Sequence, residues 1–263
     1  MKNIKIILGI ILLFFISCSG QQTEKQTKDI INDNFISVSD SVKINEMVKY
    51  SFNAEFIVLE WITDINLLEK IYAPMGIQTD DYSKNGIKKA LVEKKEKTFS
   101  EKKEDEWLKN WDSSDAWVLD LYDNIKMNVF SKTDTLLTIL YSFETYEGGA
   151  HGSYGECYKI FDLKNNKQIL LTNIIKNTKD KIWNEILMNK FIQQYDETKD
   201  MLLEDTISLN DNFFFDDKEI TFVYNHYEIT AYAAGIIFIQ IPFYEIKNLL
   251  TDDFVEFVKK NTD

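Results

Sequence analysis

The residues best suited to chemistry lie in a glycine-rich segment, residues 147–155, which contains the first of the chain's two histidines. Glycine permits positive φ angles and close backbone approach, so this segment suits a ligand loop that exposes His151 and Tyr154. A histidine exposed in this way could act as a general base. The same residues are equally compatible with a bulged connection between strands, in which the imidazole binds a backbone carbonyl. The candidate ligand loop consists of Gly148, Gly149, His151, Gly152 and Tyr154.

The second histidine, His226, follows 75 residues after His151 and is adjacent to Tyr227, with Tyr232 a few positions later. Tyrosine rings have flat apolar faces on which sugar rings can stack, although most aromatic residues of such a chain must form its core. We therefore treat His226, Tyr227 and Tyr232 as possible neighbours of the glycine-rich loop.

The spacing of the other reactive residues matches no catalytic or metal-binding motif. The chain has no His-x-x-x-His or Cys-x-x-Cys pair, so no zinc site, and no other metal or cofactor, is expected. Residues 152–155 lack the Gly-x-Ser-x-Gly spacing of a nucleophile elbow, and no Gly-Lys-Ser/Thr phosphate loop occurs. A carboxylate pair for glycoside hydrolysis cannot be selected from 43 acidic residues, because their separation is a three-dimensional quantity. We therefore assign no catalytic residue.

The N-terminal residues have the pattern of an export signal. Lys2 and Lys5 precede an apolar run at residues 6–16, which is short for a membrane span and ends just before Cys18. This stretch resembles a bacterial lipoprotein signal, in which cleavage before Cys18 leaves a lipidated cysteine. An uncleaved anchor helix and an ordinary signal peptide are the alternatives.

The resemblance to a lipoprotein signal implies an address outside the cytoplasm. The signal peptide would comprise residues 1–17, and residues 18–40 would be the lipidated Cys18 and a polar tether. The partner that this implies directly is a membrane of the bacterial cell envelope, to which the lipid anchor would attach the protein. No acidic run follows Cys18, which favours the periplasmic side over the cell surface.

Composition restricts the other partners. The formal net charge is −13, and it becomes −15 when Lys2 and Lys5 are removed with the signal peptide. Such acidity disfavours nucleic acid and anionic lipid surfaces and would attract a cationic partner, although it would also serve solubility alone. All 30 basic residues are lysine, so bidentate guanidinium recognition of phosphate or carboxylate groups is excluded. Nucleic acid is therefore not expected as a partner.

The hydrophobic pattern predicts an α+β fold with a helical N-terminal half. Residues 41–114 are predicted to be mainly helical, with one helix at 44–72 that ends at a Pro/Gly pair and a charged, solvated helix at 86–109. Residues 115–263 are predicted to form an α+β domain in which helices pack on an antiparallel β-sheet.

The strands of this second part follow from alternation. Apolar and polar residues alternate over 117–129 and again over 137–143, which predicts an antiparallel hairpin. A third strand is predicted at 156–163, after the glycine-rich segment. Helical spacing returns at 178–197. Residues 236–241 are apolar on both faces except for one glutamine, which predicts a central strand.

Two parts of the chain are similar to the PdaC/RsiV-like extracytoplasmic domain family. Residues 146–152, Tyr-Glu-Gly-Gly-Ala-His-Gly, and the later Phe-Asp-Leu and Leu-Leu-Thr-Asn-Ile-Ile motifs correspond to its first part. Residues 224–235, Tyr-Asn-His-Tyr-Glu-Ile-Thr-Ala-Tyr-Ala-Ala-Gly, and a following Ile-Pro-Phe motif correspond to its second. His226 and Ala231 stand where the family often has proline, and Asn166 stands where it commonly has glycine.

The resemblance implies an α+β domain outside the cytoplasmic membrane. Some relatives belong to anti-sigma factors that bind lysozyme, some accompany a peptidoglycan deacetylase, and many are lipoproteins without an assigned role. The metal motifs of the deacetylase have no counterpart in this sequence. The preferred hypothesis is therefore a tethered binding module of the cell envelope that engages a lysozyme-like protein or peptidoglycan through the glycine-rich loop.

Two other hypotheses stay open. An envelope enzyme acting on glycans or peptides would use His151 as general base or oxyanion partner, and it requires this histidine in a concave site within hydrogen-bond reach of a carboxylate. A purely structural envelope protein requires no such arrangement.

Overall fold

A computed structural model describes residues 34–112 and 117–262 of the 263-residue chain. The predicted signal peptide, Cys18 and the first part of the predicted tether lie outside these residues. Within the described residues, no helix is both long enough and apolar enough to span a bilayer.

Six strands form the main sheet and lie side by side in chain order. They are β1 (Phe35–Lys43), β2 (Val48–Ile57), β3 (Leu119–Lys132), β4 (Leu136–Tyr146), β5 (Ser153–Asp162) and β6 (Lys167–Ile169). Neighbouring strands are antiparallel except β2 and β3, which are parallel. Because β2 pairs with β3, the predicted segments 41–114 and 115–263 share one sheet. The fold is therefore mixed, with helices and a mostly antiparallel sheet.

The described chain between β2 and β3 contains three helices, α1 (Ile65–Tyr72), α2 (Lys84–Glu104) and α3 (Glu106–Asn110). α2 packs against β1 and β2 through a thin apolar stripe in which Ile87, Leu91 and Phe99 are buried. The ring of Phe99 meets that of Tyr50 edge to face, with centroids 5.9 Å apart. The remaining surface of this helix is charged. Burial of the three apolar side chains holds the helix against the sheet. The predicted solvated helix is thus present, and it ends five residues earlier than expected.

The prediction of a helical N-terminal half, residues 41–114, is wrong for its first part. β2 occupies Val48–Ile57 within the predicted helix 44–72, and alternate residues of this strand are buried. Burial with a period of two is the pattern of a strand with one face on the core. This segment therefore forms a strand, although its apolar residues can also be read with a helical spacing. The sheet also begins at Phe35, so the end of the predicted tether belongs to β1.

A smaller sheet follows, in the order β7 (Phe213–Phe215), β8 (Glu219–Tyr224) and β9 (Ile237–Pro242). The helices of this part are α4 (Leu171–Ile174), α5 (Ile182–Gln194), α6 (Phe243–Ile246) and α7 (Asp252–Thr262). Trp183, Leu187 and Phe191 of α5 are buried in a second hydrophobic core with residues of the smaller sheet. Short 3₁₀ turns lie at Ala73–Met75, Asp196–Met201, Tyr232–Ala234 and Lys247–Leu249.

β9 lies at the edge of the smaller sheet, which corrects the prediction of a central strand at 236–241. Two side chains at the end of α5 take the place of a neighbouring strand. Gln194 binds the backbone N–H and carbonyl of Gln240, and the Tyr195 hydroxyl binds those of Phe238. At these residues side chains satisfy the backbone hydrogen-bonding groups of the edge strand. An edge with free groups would be a site for pairing with another chain.

Two asparagines, which we call the bridging asparagines, join the smaller sheet to β5. Asn225 accepts a hydrogen bond from the Glu156 N–H at 2.8 Å and donates one to the Glu156 carbonyl at 3.1 Å. Asn212 accepts one from the Tyr158 N–H at 2.8 Å and also donates to the Glu156 carbonyl at 2.8 Å. A primary amide carries both donor and acceptor, so each side chain pairs with β5 as backbone would. A Cβ at Gly155 would lie 2.7 Å from ring atoms of Phe143 and 2.8 Å from Oδ1 of Asn225, so glycine fits at this position.

Candidate functional site

Aromatic side chains from two distant segments meet at one surface of the protein. They are His151, Tyr154, His226, Tyr227 and Tyr232, and we call them the aromatic cluster. The rings of His151 and Tyr232 are stacked with centroids 4.0 Å apart. The ring of His226 lies 4.9 Å from that of Tyr154 and 4.8 Å from that of Tyr232. The structure therefore brings together the histidines and tyrosines that the sequence singles out in both segments.

The glycine-rich loop connects the end of β4 to the start of β5. Gly148 and Gly149 have φ angles of +95° and +99°, which other residues rarely adopt. The hydroxyl of Tyr146 donates a hydrogen bond of 2.9 Å to the carbonyl oxygen of Gly149. The loop is shorter than expected, because β5 already begins at Ser153 and includes Tyr154.

His151 is exposed, and its ring nitrogens face uncharged groups. Nδ1 lies 2.8 Å from the carbonyl oxygen of Gly152, so this nitrogen carries the proton and donates it. Nε2 is then the acceptor for the Tyr227 hydroxyl at 3.4 Å. Among the described residues, no carboxylate lies within hydrogen-bond distance of either nitrogen. The geometry matches the carbonyl-binding role of this histidine and lacks the partner that the general-base hypothesis requires.

His226 is half-buried, and burial together with the nearby His151 lowers its pKa, against the opposing effect of Glu228. Nε2 lies 3.2 Å from Oγ of Ser153, and Nδ1 is buried without a hydrogen-bond partner in the described part of the chain. A buried N–H without an acceptor is rare and costs about 1–3 kcal/mol. The proton of the neutral ring therefore belongs on Nε2, which donates it to Ser153. In this tautomer His226 orients the serine hydroxyl and does not deprotonate it.

Tyr227 has a φ angle of +67°, in the left-handed region that bulky residues seldom occupy. Turn hydrogen bonds hold it there: its N–H donates to the Thr230 carbonyl at 3.0 Å, and the Glu228 N–H donates to the Asn225 carbonyl at 3.0 Å. Its side chain is 55% exposed. Backbone strain that holds an exposed aromatic ring in place is typical of functional sites.

The strand face beside the cluster contains residues that sequence reasoning missed. Glu144 of β4 pairs directly with Tyr154 of β5. The Tyr122 hydroxyl donates a hydrogen bond of 3.0 Å to Glu144, and this bond raises the pKa of Tyr122. Ser153, which binds His226, was missed as well. Alternation predicts the face of the strand on which such residues lie, but no local pattern marks one polar residue of that face as part of a site.

The described residues contain no group of three or more His, Cys, Asp or Glu side chains placed to hold a metal ion. Cys157 of β5 is half-buried, and burial raises the pKa of its thiol. A thiol kept protonated in this way is a poor nucleophile. The chemistry that the described site offers is ring stacking and hydrogen bonding.

Comparisons with known proteins identify a family match over part of the chain. Residues 159–244 match the model of a family described as "Protein of unknown function (DUF3298)". The match includes the 226–232 half of the aromatic cluster and begins after the glycine-rich loop. No curated protein matches the chain.

Two solved structures are similar to this chain. The crystal structure of a DUF3298 family member from Bacteroides fragilis NCTC 9343 gives a TM-score of 0.62 at 23% identity, over 86% of this chain and 97% of that one. The crystal structure of a DUF3298 family protein from Pseudomonas aeruginosa PAO1 gives a TM-score of 0.48 at 15% identity, over 83% of this chain and 94% of that one. The first likeness shows a shared fold, and fold alone does not specify function.

Proposed function

We propose that this chain is a lipid-anchored binding module of the bacterial cell envelope, and that its aromatic cluster binds the glycan of peptidoglycan. The observation that carries the proposal is the assembly of aromatic rings from two distant segments at the surface, with Tyr227 held at a strained backbone angle. Aromatic faces bordered by hydroxyl groups suit sugar rings, which have apolar faces and hydroxyl rims.

The N-terminal sequence supports a location outside the cytoplasm. Lipidation of Cys18 would hold the protein on a membrane outside the cytoplasm, with the periplasmic side favoured. The PdaC/RsiV-like relationship belongs to the same proposal, and the DUF3298 match over residues 159–244 is compatible with it.

Binding rather than catalysis is supported by the partners of the two histidines. His151 binds a carbonyl and a tyrosine hydroxyl, and His226 binds Ser153 through the nitrogen that we infer to be protonated. An envelope enzyme that used either histidine as its base would need that histidine to be oriented by a third group, as in known hydrolytic triads.

A lysozyme-like protein is the second candidate partner, and the charge of the chain favours it. The formal charge of −15 without residues 1–17 would attract a strongly cationic protein at long range. Such a partner would bind through the acidic surface as a whole, whereas a glycan would bind at the aromatic cluster.

Isothermal titration calorimetry of the full chain in detergent against muropeptides tests the glycan proposal. We expect heat of binding that the double substitution Tyr227→Ala and Tyr232→Ala abolishes. The matched control is Tyr244→Ala, which removes a tyrosine of α6 that is 78% exposed and should leave binding unchanged. No heat with muropeptides up to millimolar concentration would exclude the glycan, and heat with lysozyme alone would favour the second candidate.

A further inference from the structure

A row of directly paired residues crosses five strands of the main sheet and ends in the aromatic cluster. Ser39 pairs with Asn53, Asn53 with Asn124, Asn124 with Glu144, and Glu144 with Tyr154. Residues directly opposite one another in neighbouring strands point to the same face of a sheet. We call these five residues the cross-strand row, and their side chains share one face.

Hydrogen bonds fix the orientation of the cross-strand row. The Ser39 hydroxyl donates to Oδ1 of Asn53 in a short bond. Nδ2 of Asn53 donates to Oδ1 of Asn124 at 2.8 Å, and Nδ2 of Asn124 lies 3.4 Å from the Glu144 carboxylate. Each polar side chain is thus held by its neighbour before any ligand arrives, which lowers the entropy cost of binding.

The row lies on the face of the sheet opposite the core that contains Phe52, and farther along β5 the same face packs on the second core through Ile160. Phe52 and Ala54, which flank Asn53 in β2, are buried on the other face. Ser39 and Glu144 are exposed, and Asn53, Asn124 and Tyr154 are half-buried. The residues paired on either side of the row on this face are also polar or tyrosine, and include Ser37, Ser41, Ser51, Tyr122, Lys126 and Tyr146.

The chemistry of the face restricts what it can bind. Hydroxyl, amide and carboxylate groups suit a ligand rich in hydroxyl and amide groups. Glu144 repels anionic polymers, and the sequence contains no arginine to recognise them. With strands about 4.8 Å apart, a row across five strands extends over about 19 Å, which is long enough for several sugar rings.

We infer that the cross-strand row and the aromatic cluster form one continuous site for an extended polysaccharide strand of neutral or amino sugars, lying across β1 to β5. This inference rests on the proposed glycan function and specifies the ligand as extended and not anionic. The direct pairing of Glu144 with Tyr154 is where the polar part of the site meets the aromatic part.

Length dependence of affinity tests this inference. Calorimetry of the full chain in detergent would compare the dimer and the hexamer of β-1,4-linked N-acetylglucosamine. We expect the hexamer to bind about tenfold more tightly, because it adds several hydrogen bonds along the row. Asn124→Ala should remove most of this gain. Asn85→Ala, on the exposed surface of α2, is the matched control and should change neither affinity.

The outcomes separate the inference from the proposed function. Absence of heat with muropeptides would overturn the proposed function. With muropeptide binding present, absence of binding by both oligomers, or equal affinity for dimer and hexamer, would overturn the inference alone. If Asn124→Ala disturbs folding, Ser39→Ala replaces it, since this residue is exposed at the far end of the row and its loss should lower the hexamer affinity. Binding of an oligogalacturonate hexamer as tightly as the N-acetylglucosamine hexamer would also overturn the inference.

Discussion

Tyr227 combines a backbone angle that favours glycine with a ring that belongs to the aromatic cluster. The left-handed conformation costs a non-glycine residue about 1–2 kcal/mol, so the cost must be offset by packing or by function. Because its side chain is 55% exposed, the packing gain is limited. The residue is therefore the best single position at which to separate binding from stability.

We predict that Tyr227→Gly abolishes muropeptide binding while the free energy of unfolding changes by less than about 1 kcal/mol. The relief of backbone strain offsets the lost contacts of the ring with His151 and Tyr232. Urea unfolding and calorimetry on the same preparation measure the two effects. A loss of several kcal/mol would show that the ring is a structural part of the fold.

His226 gives a prediction for pH. Its pKa lies below the ordinary value of 6.5 in the folded protein, first because of burial and then because of His151. The unfolded chain therefore binds this proton more readily, so the stabilising contribution is fully present above about pH 6.5 and is lost as the pH falls toward the folded pKa.

The measurement for His226 compares two proteins, because many carboxylates also titrate in acid. We expect the free energy of unfolding of the unmodified protein, relative to that of His226→Gln, to fall between about pH 7.5 and about pH 5. Ser153→Ala keeps the histidine and should retain the pH dependence. A difference that is constant across this range would contradict the lowered pKa.

At the scale of elements, the bridging asparagines position the 226–232 half of the site. Asn225 makes two hydrogen bonds to the backbone of Glu156, and the strained turn follows it directly. We predict that Asn225→Ala destabilises the protein by about 1–3 kcal/mol, since it leaves the Glu156 N–H without a partner and removes one of the two hydrogen bonds to the Glu156 carbonyl. Urea unfolding measures the loss, with Asn85→Ala as control. A change below about 0.5 kcal/mol would show that water replaces the amide without penalty.

The elements with a strong period could be predicted from the sequence, and those with competing patterns could not. The hairpin of β3 and β4 follows from alternation, and α2 follows from its paired charges and apolar stripe. In β2 the buried residues also alternate, but large apolar residues are so frequent there that a helical spacing can be traced through them. Asn166, noted as a replacement for glycine, has a φ angle of +51°, where glycine is favoured.

The site could be predicted as two lists of residues but not as one surface. The glycine-rich loop and the 226–232 segment stand out in the sequence by their glycine, histidine and tyrosine residues. Both also belong to the motifs that resemble the PdaC/RsiV-like family. Their contact depends on the hydrogen bonds that the side-chain amides of Asn212 and Asn225 make to β5, and on the register of β4 with β5. Neither is visible locally, because pairing between distant segments is decided by the packing of the whole sheet. The cross-strand row was missed for the same reason.

At the scale of the whole molecule, charge predicts how a cationic partner would bind. With a formal charge of −15 after removal of residues 1–17, association with a lysozyme-like protein should weaken steeply with salt. We expect the association rate to fall by at least about tenfold between about 0.02 M and about 0.3 M salt, measured by stopped-flow fluorescence. Binding of the uncharged N-acetylglucosamine hexamer should be nearly insensitive to salt over this range. A lysozyme affinity that does not depend on salt would contradict steering by net charge.

The arrangement of the two sheets places the site at their junction. β5 carries Ser153 and Tyr154 on the main sheet, while β8 leads directly into the 226–232 segment. Neither sheet holds the whole aromatic cluster by itself. Changes that loosen the junction should therefore affect binding before they affect either core.

The bridging asparagines also restrict how this chain can diverge. Single-base changes in an asparagine codon lead to Asp, His, Tyr, Thr, Ser, Ile or Lys, and none of these offers a donor and an acceptor with the reach and angle of an amide. Because Asn212 and Asn225 both bind the carbonyl of Glu156, replacing either one alters the surroundings of the other. Homologous chains should therefore keep both asparagines or have lost both together. Where both are lost, the segment after β8 should no longer carry an aromatic cluster.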